Sequence, residues 1–226
     1  MAKTRARLKI NQILTGQKTN ARVVGCLLFR EWDEKDKRFY YWEEWEITGL
    51  RDYDTWVEYD HDEGEVSLYT PIRFTQAIDP QTLQKGQKVQ LTDAQGNTHD
   101  VTVEESGIGQ IIAIQGKNTY QVFEGEMMAY ATLRTIIGGK KRRITVEKYN
   151  NREYDAYYKV RLNDARQKQM FGRTIGPLFT KEDVVAWIVI IVFVLLMIGV
   201  SILFPDDSGS SGSRGVYGGS SGGFGK

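Results

Sequence analysis

The chain has 226 residues, of which 41% are hydrophobic and 26% charged, a balance that excludes a disordered or fibrous protein. Its 30 basic and 29 acidic side chains leave a formal net charge of +1, which excludes a polybasic nucleic-acid binder. One cysteine and two histidines exclude a disulfide framework and leave too few ligands for a cysteine- or histidine-based metal site, so no cofactor is expected.

The first stretch, 1–18, is a basic segment that no apolar core follows, so it does not read as a secretory signal. The next stretch, 19–75, is predicted to form a first β unit. Apolar and polar side chains alternate over 65–74, which is typical of a strand with one buried face. The strand at 39–47 carries aromatic side chains on both faces, so we expect it to be covered on both sides or to have a binding face.

Residues 76–163 are predicted to form a second β unit, separated from the first by a break near 75–88. Val89 and Leu91 precede a turn at 93–97, and Val101 and Val103 follow it. This pattern indicates a hairpin in which Gly96 supplies the positive φ. Together the units predict a mainly β fold, a β-sandwich or partly open barrel of about ten short strands.

Residues 164–183 are predicted to be a juxtamembrane linker, and the Gly/Ser-rich stretch 205–226 a disordered tail. Between them, 184–204 is a run of 21 residues without a charged side chain. At about 1.5 Å per residue, a helix of this length reaches roughly 31 Å, close to the thickness of a bilayer core. The sequence therefore predicts a transmembrane helix over 184–204, with the lipid bilayer as its partner.

Basic residues in the flanks of this stretch set the predicted orientation. The 20 residues before it hold four basic side chains and the 22 after it hold two. The excess places 1–183 in the cytoplasm. The predicted layout is a single-pass membrane protein anchored by its C-terminal helix, with protein partners at the membrane and an oligomeric state that the sequence leaves open.

Charge is unevenly distributed along the chain. The stretch 31–65 has a net charge of −10, and the stretch 134–173 has a net charge of +8. Within the latter, a predicted lipid-facing patch consists of Lys140, Lys141, Arg142 and Arg143. A basic residue held near an anionic leaflet contributes about 1 kcal/mol. The alternative is that the two halves neutralise each other across their interface.

The acidic stretch 31–65 is also rich in aromatic side chains. Rings and carboxylates together suit a soft organic cation, because ring faces attract cations and carboxylates pair with them. We therefore predict a site for a polyamine-like ligand or a protein partner at Trp42, Trp45, Trp56, Glu44 and Glu58. The alternative is that the rings belong to the β core and the acids to turns.

The sequence contains no recognisable catalytic set. Glu43 and Glu44 are adjacent on a strand and point to opposite faces, so they cannot share a site. The turn at 60–64 lacks the length and ligand spacing of an EF-hand loop. The chain is therefore predicted not to be an enzyme.

Five short motifs carry a family resemblance: YWEEWEI at 41–47, WVEYD at 56–60, GEMMAY at 125–130, ITVE at 144–147 and EYDAY at 153–157. Their order resembles the bacterial family catalogued as domain of unknown function 4178, over about 19–163. The resemblance implies an all-β, non-enzymatic domain from membrane-associated gene clusters, in some cases beside polyamine-synthase-like or membrane-stress proteins. It brings no catalytic residues, and Ala156 stands where the family pattern has glycine.

Three functions are consistent with these patterns. The one we adopt as a prediction is a non-catalytic binding or scaffold module of a bacterial envelope or membrane-stress system. The second is an enzyme or ligand sensor that acts on a cationic, polyamine-like or membrane-borne substrate. The third is a structural subunit of a membrane-associated oligomer.

Overall fold

A computed structural model describes residues 3–17, 20–50, 55–137, 139–150, 153–176, 187–196 and 198. The chain divides into two compact units, Met1–Leu178 and Phe179–Lys226. The described part of the first unit has ten strands, a 3-10 helix at Pro80–Thr82 and one α-helix, α1, at Asp164–Phe171. The strands are β1 (Ile13–Thr15), β2 (Asn20–Asp33), β3 (Arg38–Thr48), β4 (Trp56–Asp60), β5 (Val66–Pro71), β6 (Lys88–Thr92), β7 (Thr98–Gly116), β8 (Met127–Ile137), β9 (Lys140–Tyr149) and β10 (Asp155–Arg161).

These strands form one antiparallel sheet that closes on itself. Its order is β1-β2-β3-β4-β5-β10-β9-β8-β7-β6, and β2 also pairs with β7. The second pairing, which sets Leu27 opposite Ile114, joins eight of the strands into a closed barrel. The short strands β1 and β6 lie beside this ring, paired with β2 and β7 respectively.

The closure corrects the prediction of a β-sandwich or partly open barrel in two units. Strands from both predicted units belong to the same ring, because β5 pairs with β10 and β2 pairs with β7. The alternation of side chains within a strand identifies its two faces but does not identify its neighbours, which is why closure was missed. The mainly β character is confirmed, as is the hairpin of β6 and β7, where Gly96 has a φ of 84°.

Apolar side chains occupy part of the barrel interior and cover its outer wall. The inner cluster includes Leu27, Phe29, Ile111 and Met128. One outer cluster packs residues of β2–β5 against the N-terminal segment and α1, and includes Leu8, Trp45, Ile47 and Phe171. The other outer cluster packs β7–β10 against the connection that follows β5, and includes Ile78, Leu83, Leu133 and Ile144.

The helix α1 lies within the stretch predicted as a juxtamembrane linker. It begins after Asn163, whose side chain accepts a hydrogen bond from the backbone N–H of Arg166 at 2.9 Å. It ends at Gly172, whose φ of 72° is the left-handed conformation common after a helix. Its Phe171 is buried, so the helix covers part of the barrel wall.

The second unit is described at 187–196 and 198, which are helical and carry exposed apolar side chains. Among the described residues, no helix is long and apolar enough to cross a membrane, and this contradicts the predicted transmembrane helix over 184–204. Residues 184–186, 197 and 199–204 of that prediction, and the predicted tail 205–226, lie outside the described residues.

Candidate functional site

One end of the barrel is closed by the connection between β7 and β8. Tyr120 in this connection stacks on Trp56 and Tyr149, with ring centroids 5.6 and 6.0 Å apart. Its hydroxyl lies 2.6 Å from that of Tyr157. Glu46 accepts a hydrogen bond from the backbone N–H of Thr119 at 2.7 Å. These residues form a largely aromatic floor inside the barrel.

Between this floor and the opposite end, the barrel contains a cavity of about 690 Å³. This volume is within the range of about 300–1,000 Å³ that is usual for small-molecule sites. Acidic groups outnumber basic groups in its lining by eleven to three. The acidic residues are Glu31, Asp33, Glu44, Glu58, Asp60, Asp62, Glu63, Glu65, Glu104, Glu105 and Glu147, and the basic residues are Lys85, Arg143 and Lys159.

Strand alternation places part of this lining inside the barrel, whereas the lining residues of the β4–β5 turn and Lys85 lie outside the strands. On β3, Trp42 and Glu44 point inwards, while Trp45 points into the outer core, because successive residues of a strand face opposite sides. Pairing of β3 with β4 sets Glu44 beside Glu58. Pairing of β5 with β10 sets Tyr69 beside Lys159. The cavity wall is therefore the polar counterpart of the apolar outer faces of the same strands.

Lys159 and Glu58 form a buried ion pair in this cavity. The Nζ of Lys159 lies 2.8 and 3.0 Å from the two carboxylate oxygens of Glu58. The hydroxyl of Tyr69 donates a hydrogen bond to the same carboxylate, and Lys159 Nζ lies 5.6 Å from the centroid of the Tyr69 ring. The charge of Glu58 is therefore matched by an ammonium group that the protein itself supplies.

Glu44 and Glu147 are also buried, but no ion pair with a basic side chain is found for either within the described residues. Glu44 accepts a hydrogen bond from Trp42 Nε1 at 2.9 Å, whereas Glu147 has no hydrogen-bond partner in that part of the chain. Burial raises the pKa of Glu44 to about 8, and the nearby charge of Glu58 adds to this rise. Burial, followed by the charges of Glu44 and Glu58, raises the pKa of Glu147 well above its ordinary value.

The predicted ligand residues occupy three places in the structure. Trp42, Glu44 and Glu58 line the cavity. Trp56 lies in the floor, where it is stacked on Tyr120, and its indole Nε1 has no hydrogen-bond partner among the described residues. Trp45 lies in the outer core, and its Nε1 donates to Glu43 at 2.7 Å.

Sequence reasoning missed the cavity residues that β8, β9 and β10 contribute. They include Tyr130, Glu147 and Lys159. The sequence contains a signal for two cavity residues, Thr145 and Glu147, because they alternate with the apolar Ile144 and Val146. A buried strand with polar side chains on one face indicates a polar barrel interior.

The predicted lipid-facing patch lies at the beginning of β9, where Lys140, Lys141, Arg142 and Arg143 are all exposed. Arg143 reaches the cavity and pairs with Glu104 at 2.9 Å. On the neighbouring strand β8, Ile136 lies opposite Lys141 and is 67% exposed. Contact of this hairpin with lipid stays a prediction.

In the part of the chain that the structure describes, two ion pairs link the acidic stretch 31–65 to the basic stretch 134–173. They are Lys159 with Glu58 at 2.8 Å and Arg161 with Glu65 at 3.2 Å. The two stretches therefore meet at these positions, although the Arg161 side chain is 71% exposed. Within the described residues, no group of three or more His, Cys, Asp or Glu side chains is arranged to hold a metal ion.

Comparison with family models, with curated proteins and with solved structures finds no match for this chain. The resemblance to domain of unknown function 4178 therefore stays a prediction. The geometry defines the class of fold and site. The fold is a closed antiparallel β-barrel, and aromatic side chains block one of its ends. A mainly acidic cavity of ligand size lies towards the other end.

Gly109 on β7 makes room for Trp42 in the cavity wall. A Cβ atom at this position would lie 2.7 Å from Cζ2 of Trp42, whose ring stacks on Phe29 at 5.0 Å. We expect Gly109→Ala to lower the free energy of unfolding by about 1–3 kcal/mol, because the Trp42 ring must move. Urea unfolding measures the loss. In a Trp42→Leu background the loss should shrink, and an equal loss in both backgrounds would contradict the stated contact.

Proposed function

We propose that the chain is a non-catalytic binding module whose barrel cavity takes a small organic cation such as a polyamine. The observation that carries the proposal is the charge of the cavity, with eleven acidic and three basic residues around about 690 Å³. A cation that enters beside buried carboxyl groups stabilises their ionised form, because burial removes that form from water and leaves its charge uncompensated.

The pair of Lys159 and Glu58 supports an alkylammonium as the ligand group. Lys159 is itself an alkylammonium, and in this cavity it is held by a carboxylate and lies near the Tyr69 ring. A ligand ammonium would meet the same kinds of group at Glu44 and Glu147, with Trp42 and Tyr130 in the adjoining wall. Carboxylates and aromatic rings together favour a cation over a neutral molecule of equal size.

The family resemblance agrees with a polyamine, since it implies neighbours that are polyamine-synthase-like. This support is by association, and the cavity chemistry is the primary argument. A role in an envelope or membrane-stress system rests on the resemblance alone and stays a prediction, as do protein partners of the module.

The proposal is tested by titrating the full chain with spermidine and following tryptophan fluorescence at low and at physiological salt. We expect saturable quenching, because Trp42 lines the cavity. A Trp42→Phe variant should lose most of the quenching, whereas Trp45→Phe, which alters the outer core, should retain it. An uncharged diol of matched length should produce no change.

Equal quenching by spermidine and by the diol would show that charge does not select the ligand, and it would overturn the proposal. Quenching that survives Trp42→Phe but not Trp45→Phe would place the ligand outside the barrel. Binding that disappears at physiological salt would reduce the interaction to surface charge, because buried pairs are screened much less than exposed ones.

A further inference from the structure

Glu44 and Glu147 face each other across the interior of the barrel. In the closed ring, β3 and β9 are four strands apart in either direction, so they lie on opposite walls. Both carboxyl groups are buried and line the same cavity, with exposures of 3% and 5%. An eight-stranded barrel is just wide enough inside for side chains or one small ligand. The two groups are therefore close enough for one ligand to contact both.

The opposed carboxyl groups differ from Glu58 in what surrounds them. Glu58 is paired with Lys159 at 2.8 Å, whereas Glu147 has no hydrogen-bond or ion-pair partner among the described residues. A side chain that is buried, polar and without a partner at the wall of a cavity is suited to a ligand group. The ammonium group of Lys159 thus occupies one cation position in the cavity. The carboxyl groups of Glu44 and Glu147 are left for a second cation.

We infer that an ammonium group of the ligand binds between Glu44 and Glu147, and that its binding is coupled to the loss of protons from these two carboxyl groups. This inference rests on the proposed function. It adds the position of the ammonium group and the coupling of its binding to proton release. Each carboxylic acid releases its proton to solvent and becomes a carboxylate, and the ammonium group compensates the new negative charge. No bond of the ligand is broken or formed.

The titratable groups around the two acids support this exchange. The side chains of Glu58 on β4 and Lys159 on β10 lie near Glu44. The same two groups and Asp155 lie near Glu147. On the remaining walls lie Tyr69, Tyr130, Glu31 and Glu105, of which Glu31 accepts a hydrogen bond from Tyr130 at 2.6 Å. The ammonium group of Lys159 acts on both acids, but it is already paired with Glu58. Protons are therefore the means by which Glu44 and Glu147 avoid an uncompensated charge.

The test is calorimetric titration of the full chain with spermidine at pH 7, in two buffers that differ in ionisation enthalpy. Spermidine is almost fully protonated at this pH, so any proton released comes from the protein. We expect release of about one to two protons per spermidine, together with an affinity that rises between pH 6 and pH 8.5. The double variant Glu44→Gln with Glu147→Gln should release none and should bind at least about tenfold more weakly at pH 8.5.

Glu34→Gln is the matched control, because Glu34 is exposed on the β2–β3 turn and should leave the proton count unchanged. Glutamine has the shape of a protonated glutamate, and the single Glu147→Gln variant should halve the proton release if the double variant fails to fold. Spermidine binding with no proton release in wild type would overturn the inference and leave the proposed function standing. Absence of binding from pH 6 to pH 8.5 would overturn both.

Discussion

A Glu43→Ala variant is expected to lose about 3–5 kcal/mol of folding free energy, which is a large part of the 5–15 kcal/mol typical of a domain. Glu43 lies on β3 and faces the outer core, where it is fully buried. Its carboxylate contacts His61 Nε2 at 2.6 Å and accepts from Trp45 Nε1 at 2.7 Å. It also accepts from the backbone N–H groups of Arg5 and Ala6.

The size of this loss follows from the groups that would be left without a partner. Removing the carboxylate leaves buried donors from three parts of the chain without an acceptor. Each unsatisfied buried donor costs about 1–3 kcal/mol. Two of these donors belong to the N-terminal segment, which covers the outer core with Ala6, Leu8 and Leu14. Loss of Glu43 should therefore release the segment as well as weaken the barrel.

Urea unfolding followed by circular dichroism measures the loss, and limited trypsin digestion at Lys9 measures release of the segment. Glu43→Gln keeps an acceptor and the volume, so we expect it to lose about half as much as Glu43→Ala. The control Glu34→Ala removes an exposed surface pair with Lys37 and should change stability by less than about 0.5 kcal/mol. If Glu43→Ala unfolds at the same urea concentration as Glu34→Ala, the role given to Glu43 is contradicted.

The second large effect is a fall in stability as the pH rises from about 5 to about 8.5. The pKa of Glu44 is raised to about 8 by burial in the folded protein, and that of Glu147 is raised as well. In the unfolded chain both acids ionise near their ordinary value of about 4.3. At a pH between the unfolded and the folded pKa, the folded state holds protons that the unfolded state has lost. The free energy of unfolding therefore decreases as the pH rises, by up to about 1.4 kcal/mol per pH unit for each carboxyl group.

Burial also raises the pKa of Glu31 and of Asp60, which adds to this fall, whereas two further shifted groups act outside the interval. The pKa of Asp93 is lowered to about 2 by hydrogen bonds from His99 and Asn97, so its stabilising contribution is lost only in strong acid. The pKa of Lys159 is raised by Glu58, although burial opposes the rise, and its contribution is lost only above the ordinary pKa of lysine.

Measurement of urea midpoints at pH 6.0 and 8.5 tests this expectation. The variant Glu44→Gln with Glu147→Gln stays neutral at both pH values, so its curve should be flatter and it should be the more stable protein at pH 8.5. Glu34→Gln should follow wild type. Parallel curves for wild type and the double variant would mean that these acids do not hold protons in the folded state.

The sequence predicted the hairpin around Gly96, which depends on neighbours a few residues away. It also named Trp42, Glu44 and Glu58, which line the cavity, but grouped them with Trp45 and Trp56, which do not. The pairings that close the barrel are different in kind. Gln110 lies opposite Arg30 although the two are 80 residues apart, with a register shift nearby between Leu28 and Phe29. No local pattern contains that information, so Glu147 and Lys159 could not be assigned to the same cavity.

The aromatic floor gives the cavity a property that charge alone would not. Tyr120 and its stacked neighbours cross one end of the barrel, so a ligand of the proposed kind would have to enter from the other end. A linear amine would then lie along the barrel axis with its far end at, below or beyond the rim. The depth of the barrel would therefore rank a homologous series of amines by chain length as well as by charge.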